Sequence, residues 1–163
     1  MALAALVLLV TFAAQESAPK MKHHAAGTFE VKIVPQKPDN PPAESAKLGR
    51  MSIDKQFQGD ITGSSVGEML SVLNDKRDSG VYVAIERVTG TLQGRSGSFA
   101  LHHTGLMNHG VPQLTISVVP DSGTGALAGI TGTFTIKIEG GKHFYEFDYT
   151  LSADSPHPPP PAH

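Results

Sequence analysis

Apolar residues in this chain fall on alternate positions in almost every stretch that glycine or proline does not interrupt. Residues 28–34 set Phe29, Val31 and Ile33 against Glu30 and Lys32, which is the period of a half-buried strand. Pro35, Pro38, Pro41 and Pro42 then break any ladder and predict a loop as far as Leu48. Alternation resumes over residues 50–61 through Met51, Ile53, Lys55 and Phe57, with Gly59 suggesting a bulge. From Gly80 the pattern is nearly a continuous meander, with strands expected over residues 81–92, 97–103, 112–119, 130–139 and 142–151. Gln93-Gly94, Asn108-His109-Gly110 and Asp121-Ser122-Gly123 supply loop residues between them, and Gly140-Gly141 suits a two-residue hairpin that needs positive φ twice.

One segment departs from period two. Val66, Met69, Leu70 and Leu73 lie at i, i+3, i+4 and i+7, and Ser65 to Glu68 has the form of a capping box, so the spacing predicts a helix over residues 65–73. A repeat is also visible. Leu92-Gln93-Gly94-Arg95-Ser96-Gly97-Ser98-Phe99 returns 35 residues later as Leu127-Ala128-Gly129-Ile130-Thr131-Gly132-Thr133-Phe134. This reads as a repeated hairpin unit whose glycines, Gly97 and Gly132 among them, stand at constrained corners. Seven or eight antiparallel strands with one short helix fit a sandwich or a closed barrel, and the long strands with repeated glycine corners favour the barrel.

Length bounds the count of domains. Of 163 residues, the expected barrel takes 21–152, one ordinary domain with a single core. Residues 1–20 read as a signal-like or non-native extension, because an apolar run of small residues precedes Lys20. Export to the periplasm or beyond is one reading of it; the other starts the protein at Met21 and leaves it in the cytoplasm, since no Lys or Arg precedes Lys20. The run is too short to span a bilayer. Residues 153–163, with Pro156 and Pro158 to Pro161, read as a disordered proline-rich tail. A net charge of −2, with basic residues scattered singly, gives no field for nucleic acid. The chain has no Cys, which removes disulfides and thiolate chemistry.

Several motifs together carry a family resemblance: Gly27-Thr28-Phe29-Glu30-Val31, Val66-Gly67-Glu68-Met69-Leu70, residues 82–92, Gly94-Arg95-Ser96-Gly97-Ser98-Phe99, Pro120-Asp121-Ser122-Gly123-Thr124-Gly125 and His143-Phe144-Tyr145. Over residues 27–151 the chain resembles the bacterial domain-of-unknown-function family 3224. The resemblance implies an all-β fold, a single eight-stranded antiparallel barrel like that of allene oxide cyclase, and it brings no assigned activity. The leading twenty residues, the proline loop and the proline tail depart from the family's pattern.

Candidate chemistry is sparse. Gly63-Ser64-Ser65-Val66-Gly67 matches a nucleophile elbow, but antiparallel strands supply neither the parallel sheet nor the later Asp and His partners that an elbow needs. His102 and His103 are adjacent in a strand and point to opposite faces, so they cannot share a metal ion, and no metal or other cofactor is expected. More informative is the face shared by Tyr82, Ala84, Glu86 and Val88. If it lines one lumen with the His103 face of the next strand and the Tyr145 face of the last, an acid, an imidazole and two phenols meet among aliphatics. Glu86, Tyr82, His103 and Tyr145 are therefore the candidate ligand-binding residues. The contrary arrangement has Glu86 outside, paired with Arg95. An inward Glu86 is expected to have a raised pKa unless a cation or several donors hold the charged form. Three functions fit such a container: a binder of a small apolar molecule, an isomerase or cyclase acting on one, or a structural, homo-oligomer-forming barrel with a filled lumen.

Overall fold

The structure is a computed structural model, and it describes residues 20–38 and 40–152. Eight strands follow one another around a closed barrel in chain order. They are β1 (Lys20–Gln36), β2 (Leu48–Gly59), β3 (Ile61–Leu73), β4 (Gly80–Leu92), β5 (Arg95–Asn108), β6 (Val111–Val118), β7 (Thr131–Glu139) and β8 (Lys142–Ser152). All neighbours are antiparallel. The long β1 closes the barrel. Its first half pairs with β8 from Lys20–Ser152 to Phe29–His143, and its second half pairs with β2 from Gly27–Gly59 to Gln36–Arg50. The first strand thus starts eight residues before the alternation over residues 28–34 becomes legible. The leading segment up to residue 19 and the proline tail from residue 153 lie outside the described residues.

The segment expected to be a helix over residues 65–73 is strand β3, paired along its length with β2 and β4. Its helical spacing was a coincidence of two faces. Val66 and Leu70 point outward and are exposed, whereas Ser65, Gly67 and Met69 point inward. Small inward residues leave space over the lumen, which a helix could not provide while completing both ladders. The helical pieces among the described residues are the five-residue α1 (Pro41–Ser45) in the proline loop and a 3-10 turn at Gly125–Leu127.

The repeat also divides. Its first copy is the β4–β5 hairpin, but its second copy ends the long β6–β7 connection and enters β7. Neither Gly97 nor Gly132 has positive φ. Instead, backbone packs against them: a Cβ on Gly97 would lie 2.1 Å from the Thr124 carbonyl oxygen, and one on Gly132 would lie 2.4 Å from that of Asp148. The Gly140-Gly141 turn keeps its expected form, with φ of 57° and 75°.

Alternation fixes which side chains enter the barrel. Near the β4–β5 turn the interior is filled by Leu92, Phe99, Leu101, Phe147, Tyr149 and Leu151, and the β6–β7 connection caps this end with Leu127 and Ile130, both fully buried. Aromatic rings continue upward, Phe134 stacking on Tyr145 at 5.2 Å and Phe147 on Tyr149 at 5.1 Å. The opposite end, ringed by the β1–β2 connection with α1 and by the turns at Asn74–Ser79, Asn108–Gly110 and Gly140–Gly141, has no such cap among the described residues, and α1 buries none of its side chains. The inward residues of this end, Ile33, Leu114 and Ile138, remain 44 to 65% exposed. One seam weakens the wall there. β6 and β7 share a single registered pair, Ser117 with Thr133, whereas the neighbouring β5–β6 ladder runs unbroken from Leu101–Val118 to Asn108–Val111. No helix among the described residues is long and apolar enough to cross a membrane.

Candidate functional site

Between the packed end and the open mouth, four polar side chains meet in an otherwise apolar lumen. Period two turns Lys55 of β2, Ser65 of β3, Glu86 of β4 and His103 of β5 inward. The register brings them together, pairing Lys55 with Ser65, Gly67 with Glu86 and Ala84 with His103. All four are buried, Glu86 completely. The Lys55 ammonium donates to Glu86 Oε2 at 2.6 Å, and the Ser65 hydroxyl donates to Glu86 Oε1. His103 Nε2 lies 3.0 Å from the same Oε2, but off the line of a hydrogen bond, so that its contact is electrostatic and the nitrogen is left without a bonded partner. Lys55 Nζ also stands 4.9 Å from the centroid of the Phe29 ring.

The charge state follows from these contacts. Burial pushes the Glu86 carboxyl up, yet His103, Lys55 and Ser65 together outweigh it and hold the pKa at about 2. The expected rise is thus reversed by the cation and the donors, and Glu86 does not face Arg95 on the outer surface. An ionised carboxylate sits beneath the mouth with an ammonium and an imidazole against it. Tyr82, two residues above Ala84 on the same inward face, has its phenol pushed up by burial first and by the Glu86 charge second.

Above this cluster is an apolar pocket of about 300 Å³. Lys55, Tyr82, His103 and His143 contribute to its base and side. Its walls are Ile53, Met69, Leu114, Ile136 and Ile138, which bring β2, β3, β6 and β7 together across the unpaired seam. An adjoining cleft of about 320 Å³ shares Met69, Tyr82 and Leu114 and continues toward Met51 and Met107. Larger hollows of about 490 and 620 Å³ lie along β1 and β8, but outward residues such as Glu30, Lys137 and Lys142 help to form them and none of Lys55, Ser65, Glu86 and His103 lines either. The smaller mouth pocket therefore has the stronger claim on function.

Of the candidates read from sequence, Glu86 and His103 are in contact and Tyr82 lines the same pocket. Tyr145 is not part of the cluster. Its hydroxyl accepts a bond from the Ile61 backbone N–H at 2.7 Å, and its ring packs on Phe57 and Phe134. Sharing an inward face does not mean sharing a layer, because side chains two residues apart on a strand are separated by roughly 6.5 Å along it. His143, one step nearer the mouth on β8, is the residue of that strand that reaches the pocket. Lys55 and Ser65 were missed. Lys55 did carry a signal, standing in an apolar register between Ile53 and Phe57 where only a paired lysine can be buried; Ser65 was hidden by its capping-box reading.

His102 faces away from His103, as expected, and is paired in register with Ile85. Among the described residues no group of three or more His, Asp or Glu is arranged to hold a metal ion. What the arrangement can do is present an ammonium and an imidazole, oriented by one buried carboxylate, to the polar end of an otherwise apolar molecule.

Comparison with known proteins agrees on family. A family profile described as "Protein of unknown function (DUF3224)" matches residues 25–149. The chain is also similar to a crystal structure of a protein of unknown function from that family in Shewanella oneidensis MR-1, with 44% sequence identity and a TM-score of 0.71. The alignment covers 80% of this chain and 97% of that one. No curated protein matches.

Proposed function

The chain belongs to the DUF3224 family, a family of unknown function, and we propose that it is a small-molecule binder that takes an apolar ligand into the open mouth of its barrel. The observation that carries this is the pairing of a largely apolar pocket of about 300 Å³ with an ion pair buried at its base. Taking a charge pair out of water costs several kcal/mol, and a well-packed apolar group at the same place is often as stable or more so. A barrel with no ligand needs no such pair beneath an unfilled mouth. The filled-lumen, purely structural reading is weakened on the same ground, since only one end of the barrel is packed.

The test is direct. The neutral fluorophore phenylnaphthylamine should bind saturably to the wild-type protein. Leu114→Trp fills the mouth from a half-exposed position, and it should weaken probe binding by about tenfold while leaving the melting temperature unchanged. No binding to the wild-type protein, or equal binding to both, would defeat the reading.

A second reading has one specific observation in its favour. The Glu86–His103 approach of 3.0 Å resembles the carboxylate–imidazole couple by which enzymes orient a proton-transfer base. It supports an isomerase-type activity on the same apolar ligand, with His103 moving the proton and Glu86 positioning it. The couple carries this reading; the barrel does not, because one fold hosts unrelated chemistries. Exchange of a ligand C–H with deuterated solvent that is lost in His103→Gln separates catalysis from binding.

A further inference from the structure

We propose that the ligand of the mouth carries an acceptor oxygen, as a carboxylate or a carbonyl, at one end of its apolar body, and that Lys55 donates to that oxygen. This rests on the binding reading above and specifies its chemistry. The argument is a count of donors and acceptors. An ammonium has three N–H groups. For Lys55, 4% exposed, Glu86 Oε2 takes one at 2.6 Å, and the Phe29 and Phe57 rings stand 4.9 and 5.9 Å from the ammonium without offering it an oxygen or nitrogen acceptor. Donor capacity remains on the side of the pocket that Lys55 lines.

Tyr82 and His143 also line the pocket, but the hydrogen bond that Lys55 makes is to Glu86 and neither of them takes one from it, and the aliphatic walls cannot. Ile53, Leu114, Ile136 and Ile138 offer no acceptor and Met69 only a weak thioether. Glu86 is already committed, with Oε2 bonded by Lys55 and Oε1 by Ser65. His103 adds a second unmet group, a 95% buried imidazole whose Nε2 lacks a hydrogen-bond partner. A buried donor without an acceptor costs about 1–3 kcal/mol, and more when it is charged. A ligand oxygen at the base of the pocket removes that cost, whereas a ligand headed by an ammonium would add a like charge and remove nothing. The aliphatic walls then select the rest of the molecule, and the β6–β7 seam gives its tail room to leave between Leu114 and Ile136.

The experiment is displacement of phenylnaphthylamine by three compounds of matched length: octanoate, methyl hexyl ketone and octylamine. Octanoate and the ketone are expected to compete at concentrations about tenfold or more below that of octylamine. Octanoate ahead of the ketone identifies a carboxylate ligand and the reverse order a neutral carbonyl. In the double variant Lys55→Met with Glu86→Gln, which removes both buried charges together, the preference should vanish. Independently of any substitution, the side-chain nitrogen resonance of Lys55 should shift on adding octanoate and not on adding octylamine. Equal competition by all three compounds, a preference that survives in the double variant, or an unmoved Lys55 signal overturns the proposal and leaves the binding reading standing. Failure of the probe to bind the wild-type protein at all overturns that reading instead.

Discussion

Glu86 should make this barrel acid-sensitive in a way that one substitution removes. Its carboxyl has a pKa of about 2 in the folded protein against an ordinary 4.5, a difference worth about 3 kcal/mol at roughly 1.4 kcal/mol per unit. Because the folded value is the lower one, the stabilisation is fully present above the unfolded pKa and is lost as pH falls through the folded value. The affected window therefore runs from about pH 4.5 down to pH 2, and neutral pH lies outside it. Against a total stability of about 5–15 kcal/mol for a domain of this size, one residue holds a large share.

The perturbation is Glu86→Gln, which keeps the shape and one acceptor oxygen but removes the charge. Urea unfolding of both proteins, followed by the three tyrosines in a chain that has no tryptophan, gives the difference in stability at each pH. The other carboxylates titrate in both proteins and cancel. Linkage then predicts a gap of about 3 kcal/mol at pH 7, about 1 kcal/mol at pH 3 and well under about 1 kcal/mol at pH 2. A gap that stays constant from pH 7 to pH 2 would show that the substitution acts through packing alone. No gap at any pH would show that Lys55, Ser65 and His103 do not hold Glu86 ionised, and the electrostatic account of the site would fall with it.

Most of the strands were legible because they keep period two between recognisable turns, and Gly140-Gly141 needed no tertiary context to be placed. β3 was not, because its outward face carries Val66 and Leu70 in the open, 63% and 57% exposed. An apolar residue on the solvent side of a strand breaks the alternation and, beside an inward Met69, imitates a helix. The early half of β1 was hidden for the opposite reason, since Met21-Lys22-His23-His24 has no apolar alternation and its place is set by the ladder with β8. At the site, faces could be read from sequence but layers could not. Glu86 and His103 meet as diagonal neighbours on adjacent strands, His103 standing opposite Ala84 and Glu86 opposite Leu101, a relation given by register, whereas Tyr145 has the correct face in another layer. Register depends on pairings across the closed barrel, and no local pattern encodes it.

Two further substitutions test these relations. Gly97→Val should destabilise the fold by more than about 1 kcal/mol in thermal or urea unfolding, because the new Cβ would meet the Thr124 carbonyl oxygen at 2.1 Å; an unchanged stability would mean that the β6–β7 connection does not pack on β5 as described. Ser65→Asp separates the two local structures that its sequence allows. At the start of a helix, aspartate caps as well as serine and the change would be neutral. On β3, its carboxylate replaces the hydroxyl that donates to Glu86 Oε1, setting a second negative charge in a buried space where one is already held. The cluster then has two carboxylates for one ammonium, so one of them must take a proton or the site must open. The expected result is a loss of more than about 3 kcal/mol at pH 7 that is partly recovered on acidification, as protonation relieves the repulsion. Since wild-type stability moves the other way over the same pH range, a Ser65→Asp protein as stable as wild type, or one that loses stability on acidification in parallel with it, would contradict the placement of Ser65 against Glu86.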